Sequence, residues 1–147
     1  MPTVRLYVGT AVLDGKLYAA GGESEDDGAT FNLTFNLVER YDFETKAWEA
    51  VAPMATPREN HGVAVLDGKV YAVGGYNDDG SLSSVVRYDP ATNAWEAVAP
   101  MAEARYAHAV AVLDGKLYAA GGRGHDHRLS SVERYDPGTD AWEAVAP

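Results

Sequence analysis

The chain has no cysteine, which excludes disulfides, thiolate nucleophiles and Cys-held zinc or iron–sulfur centres. Positive charge is scarce: 12 Lys and Arg stand against 22 Asp and Glu, for a net charge of -10. Phosphate backbones and anionic membrane surfaces both require a basic footprint, so the balance excludes nucleic acid and membrane as partners. No apolar run approaches the roughly 18 residues of a membrane span, and no basic segment precedes an apolar one in the manner of a signal peptide. The expectation is a soluble chain, cytoplasmic when expressed in a host. What is abundant is 46% apolar residues with 15 Gly, 9 Tyr and 3 Trp in 147 positions. That composition points to a globular, turn-rich β protein.

One unit occurs three times. VLDGK stands at 12–16, 65–69 and 112–116, and glycine pairs follow at Gly21–Gly22, Gly74–Gly75 and Gly121–Gly122. RYD recurs at 40–42, 87–89 and 134–136, and AWEAVAP at 47–53, 94–100 and 141–147. The units are expected to be 1–53, 54–100 and 101–147; the last two share 32 identical positions, and the first is six residues longer. Met1 stands in the register of Met54 and Met101, so Pro147 would be followed in register by a residue like Met1.

Each unit predicts four short strands. An apolar first strand (Val63–Leu66 in the middle unit) runs into Asp-Gly, the pair that a two-residue type I′ hairpin demands. A second strand from Lys69 stops at the glycine pair; a variable loop and a third strand near Val85–Tyr88 follow. Asp89-Pro90-Ala91-Thr92-Asn93 supplies turn chemistry before a fourth strand over Trp95–Val98. The Ala-rich stretch from Met101 to Val112 has helical propensity. Its counterparts in the other units hold Pro2 and Pro57, and repeats share one conformation, so loop followed by strand is predicted.

The glycine pair, the downstream Tyr41, Tyr88 or Tyr135 and the Trp48, Trp95 or Trp142 behind it resemble the kelch repeat, one blade of a β-propeller. The likeness covers the whole chain. It implies an all-β fold of three four-stranded antiparallel blades per chain. Three blades are too few to close, since propellers hold about 4–8. Two chains are therefore expected to form one six-bladed homodimer, each supplying half the ring. The near-identity of the units also resembles an artificial, consensus-designed kelch protein. The expected function is a non-catalytic scaffold that self-associates; the alternative is a loop-face module that binds a protein or peptide.

The recurring residues carry structural expectations. The glycine pairs lack the helix and spacing of a phosphate loop and serve close strand approach. The Trp residues, with Tyr18, Tyr71 and Tyr118, are expected to pack blade on blade, and Arg40, Arg87 and Arg134 to bond between blades. His61 and His108 head the first strand where the first unit has Val8, which argues for channel lining or packing over an essential ligand. No Ser/His/Asp arrangement recurs, and kelch-like copper oxidases use Cys, Tyr and His ligands, of which Cys is missing. An enzyme is not expected.

The units differ most in the loop after the glycine pair, on the face that binds partners in propellers resembling this one. Kelch adaptors for acidic peptides use Arg there, and Arg123 and Arg128 lie at comparable positions, where the other units offer Glu23, Tyr76 and Ser81. His125-Asp126-His127 places two imidazoles at i and i+2, which an extended loop would point the same way. Cu, Zn or Ni could be held there if a second chain completes the ligand set. Residues 30–37 alternate polar and apolar, a strand pattern with Phe31, Leu33, Phe35 and Leu37 on one side. They are expected either to pair with another chain or to extend the third strand of their own blade, and Asn32-Leu33-Thr34 also fits a glycosylation sequon.

Overall fold

The structure is a computed structural model that describes residues 1–24 and 33–146. Among these, every helix or strand element is a strand, and no helix is long and apolar enough to cross a membrane. Fourteen strands form three four-stranded antiparallel sheets and one two-stranded ribbon. The first sheet holds β1 (Gly9–Leu13), β2 (Lys16–Ala20), β3 (Val38–Asp42) and β4 (Ala47–Val51), in that order. The second holds β5 (Gly62–Leu66), β6 (Lys69–Val73), β9 (Val85–Asp89) and β10 (Ala94–Val98), with the ribbon β7 (Tyr76–Asn77) and β8 (Gly80–Ser81) inserted. The third holds β11 (Ala109–Leu113), β12 (Lys116–Ala120), β13 (Val132–Asp136) and β14 (Ala141–Val145). No helix forms over Met101–Val112; Tyr106 makes a bridge and β11 begins at Ala109.

Local chemistry explains the repeated hairpins. Asp14 and Gly15 have φ of 50 and 69°, and the pairs Asp67–Gly68 and Asp114–Gly115 match them. Two consecutive positive φ values are the type I′ signature that closes two strands with their natural twist. The third turn is held by Asp89 Oδ1, which accepts from Ala91 N–H at 2.9 Å, and Asp136 Oδ1 accepts from Gly138 N–H at 2.8 Å. Lys69 and Lys116 reach the same aspartates at 2.8 and 2.6 Å, and Lys16 reaches Asp42, tying second strand to third.

The core lies between sheets. Leu13, Tyr18, Ala20 and Val38 of the first meet Met54, Val70, Ala72, Val86 and Tyr88 of the second. Leu66, Tyr71, Val73 and Val85 then meet Met101, Leu117, Ala119 and Tyr135 of the third. Tyr18 and Tyr88 rings stand 5.7 Å apart, and Tyr71 and Tyr135 rings 5.9 Å. Each ring buries about 150–250 Å², several kcal/mol at roughly 25 cal/mol per Å². Trp95 and Trp142 pack on the tyrosines of their own sheets, 5.4 Å away, and donate from Nε1 to the Ala52 and Ala99 carbonyls of the preceding sheet at 2.8 Å. Arg40, Arg87 and Arg134 depart from expectation. They pair within a sheet, Arg87 with Glu96 at 2.5 Å and Arg40 and Arg134 with Glu49 and Glu143 at 2.6 Å, because third and fourth strands place these side chains opposite one another.

Candidate functional site

The segment before the first sheet, the two connections between sheets and the three post-glycine loops meet on one face. Leu6 bridges Glu23, Glu59 bridges Tyr76, and Tyr106 bridges Arg123, always antiparallel. Glycine makes this geometry possible. Gly75 has φ of 108°, and a Cβ there would stand 2.8 Å from the Glu59 carbonyl. The face is therefore a fixed frame with different side chains mounted at equivalent positions.

Its charge is divided. Toward the first sheet, Glu59 lies beside Glu23 and Asp78; burial, then a hydrogen bond with Glu23 and both acidic charges, pushes its carboxyl up to about 7. Toward the third sheet, Arg123 and Arg128 bridge across a tight loop closed by Gly124 N–H donating to the His127 carbonyl at 2.9 Å. Tyr106, Arg123, His125, Asp126, His127 and Arg128 surround an open cavity of about 490 Å³. Between the two ends Tyr76 and Tyr106 rings stand 5.0 Å apart.

The structure thus brings Arg123 and Arg128 together, where the sequence had placed them only at comparable loop positions. The histidine pair differs from its expectation. Residues 125–127 bend instead of running extended, so alternation no longer directs both imidazoles one way. His125 Nε2 stands 3.7 Å from Asp126, and His127 Nε2 stands 3.7 Å from Glu103. Among the described residues no group of three His, Asp or Glu has metal-holding geometry. Phe31 and Asn32 lie outside the described residues. Thr30 lies outside them too, and among the described residues 33–37 only Thr34 forms a bridge, to Glu23, while Leu33 is exposed. The reason is competition: the Phe35 and Asn36 carbonyls accept from Arg58 and Met54 N–H of the next sheet at 3.1 and 2.9 Å.

Sequence reasoning missed a buried set beneath this face. Arg5, Arg58 and Arg105 are all buried. Arg5 Nη2 meets Glu39, and Arg105 Nη2 meets Glu133, both at 2.8 Å. Arg58 instead donates to the Gly74 and Ser84 carbonyls at 2.7 and 3.1 Å and to Ser84 Oγ at 3.1 Å. Val86 occupies the carboxylate's place, and burial lowers the Arg58 guanidinium to about 10. The recurrence of Arg four residues after each Met was the available signal. His61 lies nearby. Burial, then the charges of Arg58 and His108, holds it down to about 3, and burial with Arg105 holds His108 down to about 4.

Comparison with known proteins agrees with this architecture. Residues 2–147 match the KLHDC2/KLHL20/DRC7 Kelch-repeats domain. An influenza virus NS1A-binding protein homolog of Xenopus laevis is 44% identical over 77 residues, 52% of this chain and 11% of that protein. Kelch-like protein 36 of Rattus norvegicus is 41% identical over 86 residues, 58% of this chain and 14% of its own. The chain therefore spans only a small part of these relatives. In the solved structure of YjhT, a TM-score of 0.85 accompanies 21% identity, over 97% of this chain and 52% of that one.

Proposed function

Because this chain belongs to the kelch-repeat family, we propose that it is a non-catalytic binding module whose loop face holds a protein or peptide. The observation that carries this is the cavity of about 490 Å³ bordered by Arg123 and Arg128 in a chain of net charge -10. Two exposed guanidiniums facing across one tight loop suit a carboxylate-bearing segment, which they can grip through paired donors. Leu33 and Phe35 belong to the same proposed surface as its apolar flank; Phe31, expected with them, lies outside the described residues. That one relative is named an influenza virus NS1A-binding protein homolog accords with protein binding as the class of activity.

Each unit, 1–53, 54–100 and 101–147, supplies one blade in this proposal. Two copies of the chain complete six blades, within the range of about 4–8 at which propellers close. The share of YjhT covered, 52%, supports a chain worth about half such a fold. Likeness between units is the sole support for a consensus-designed origin, and the function does not depend on it. No cofactor enters; a Cu, Zn or Ni ion at His125 and His127 would require ligands from a second chain.

The test is titration of a fluorescent acidic peptide and of its Gln/Asn counterpart. Arg123→Ala with Arg128→Ala is expected to weaken the acidic peptide by roughly tenfold or more, the loss of about 1.4 kcal/mol or more. Equal binding of both peptides, unchanged by the substitutions, would overturn the proposal.

A further inference from the structure

The two inter-sheet junctions follow one steric rule. Gly9 of the first sheet lies where a Cβ would stand 2.2 Å from Val63 Cγ2 and 2.7 Å from His61 Nε2. Gly62 of the second lies where a Cβ would stand 2.3 Å from Val110 Cγ1 and 3.2 Å from His108 Nε2. A sheet bearing His and Val at these positions seats closely on a glycine, and a methyl there would force the valine and histidine side chains to shift. The third sheet has Ala109 in the glycine's place and so carries that methyl. The first sheet has Val8 in place of the histidine and Thr10 in place of the valine. Val8 lacks the ring that crowds the site, and Thr10 exchanges a γ-methyl for a smaller hydroxyl. Bulk gained on one open side is matched by bulk lost on the other.

From this match, and resting on the two-copy ring proposed above, we infer that the open side of the third sheet receives the first sheet of a second copy, with Ala109 seated over Val8 and Thr10. The apolar groups agree. Leu113 is 60% exposed where Leu66 is 4%, and Met1 is 42% exposed where Met54 is 1%. The polar groups agree as well. At the internal junctions Gly22 and Gly75 donate to the Arg58 and Arg105 carbonyls at 2.9 and 2.8 Å, and Ala107 N–H donates to the Asn60 carbonyl at 2.8 Å. By the same register, Gly122 N–H meets the Arg5 carbonyl of the second copy, and the Ala107 carbonyl meets its Tyr7 N–H.

One group breaks the register and sets the strength of the seam. Asn93 Oδ1 accepts from Ala52 N–H at 3.0 Å, and Asp140 Oδ1 accepts from Ala99 N–H at 2.9 Å. Lys46 stands in that position in the first sheet and has no acceptor to offer. The seam between copies is therefore weaker than the junctions within one copy, and the association is reversible.

Sedimentation equilibrium across a dilution series tests the seam. The wild-type chain is expected at twice its 15.7 kDa mass. Val8→His with Thr10→Val restores the bulky pair against Ala109. It is expected to weaken association roughly tenfold or more, since overpacking costs about 1–3 kcal/mol. Adding Ala109→Gly is expected to recover wild-type affinity, and Lys46→Asn to tighten it severalfold. Circular dichroism melts establish that each variant folds; His, Val and Gly already coexist at the internal junctions. A doubled mass indifferent to Val8→His, Thr10→Val and Ala109→Gly would overturn the seam and leave the two-copy ring standing. A monomer throughout would overturn both. Longer assemblies with the same variant dependence would uphold the seam and overturn the closed ring of two.

Discussion

The second sheet and its two neighbours bury the same arginine in different company. Arg5 and Arg105 each face a buried carboxylate at 2.8 Å, while Arg58 is held by carbonyls and a hydroxyl alone. The second sheet is nonetheless the best covered, with four of five residues of β6 buried between its neighbours. The contrast teaches that packing on both sides tolerates an uncompensated guanidinium. Three neutral acceptors spread its charge, and Val86 in return adds an apolar side chain to the junction with the first sheet. The flanking sheets keep their ion pairs and leave one side open.

The largest expected effect breaks an intact pair. Arg105→Met strands Glu133, which is 5% exposed, without its cation. The expected cost is about 3–5 kcal/mol, whereas Arg58→Met leaves no carboxylate behind and costs about 2 kcal/mol less. Urea unfolding of the two variants checks the difference; equal losses would show that carbonyl hydrogen bonds, not ion pairing, hold all three arginines.

A smaller effect appears in acid. His61 titrates near 6.5 when unfolded and near 3 when folded, and His108 falls from 6.5 to about 4. Between these limits the unfolded chain binds protons that the folded chain refuses, so the histidines' contribution to stability is full above pH 6.5 and declines as pH falls, while Glu59, raised to about 7, acts in the opposite sense. His61→Val, which copies the first sheet's Val8, is expected to flatten that decline. Melting temperatures between pH 7 and 4 measure it, and an unaltered slope in His61→Val would remove His61 as the cause.

The smallest effect sharpens the comparison by erasing it. Val86→Glu gives Arg58 the partner its neighbours have, and the equivalent Glu133 is accommodated while similarly buried. A gain of about 1 kcal/mol is expected, because Arg58 is already desolvated and a charge-assisted bond is worth about 1.5–3 kcal/mol before the lost valine contacts. The added negative charge also lessens the repulsion on His61 and raises its folded-state value toward 6.5, so the acid decline becomes shallower and ends at higher pH while its onset stays in place. Destabilisation on Val86→Glu would instead show that the valine's packing outweighs the ion pair.

Much of this molecule was written in local chemistry. Asp-Gly pairs fix the first hairpins because both residues must take positive φ, and three copies of one pattern fix three equal sheets. The same repetition overrode the helical propensity of Met101–Val112, since Pro57 cannot share a helix with its counterpart. Arg123 and Arg128 were legible as loop residues, but their pairing across a turn that bends at His125–His127 was not; strand alternation applies only to extended backbone. The 30–37 segment keeps part of its expected pairing, since Leu33 and Phe35 bond to Ser24 and Gly22 of their own unit, but carbonyls at Phe35 and Asn36 serve the neighbouring sheet. Sequence by itself determined the four main strands of each sheet, their turns and the repeated apolar core residues, all of which depend on spacings of a few positions; the β7–β8 ribbon and the buried arginines were not among them. Only the tertiary structure decided which arginine lacks its carboxylate, which glycine faces which valine, and which sides stay open. Those relations join residues dozens of positions apart, and only the packing of sheet on sheet brings them within contact.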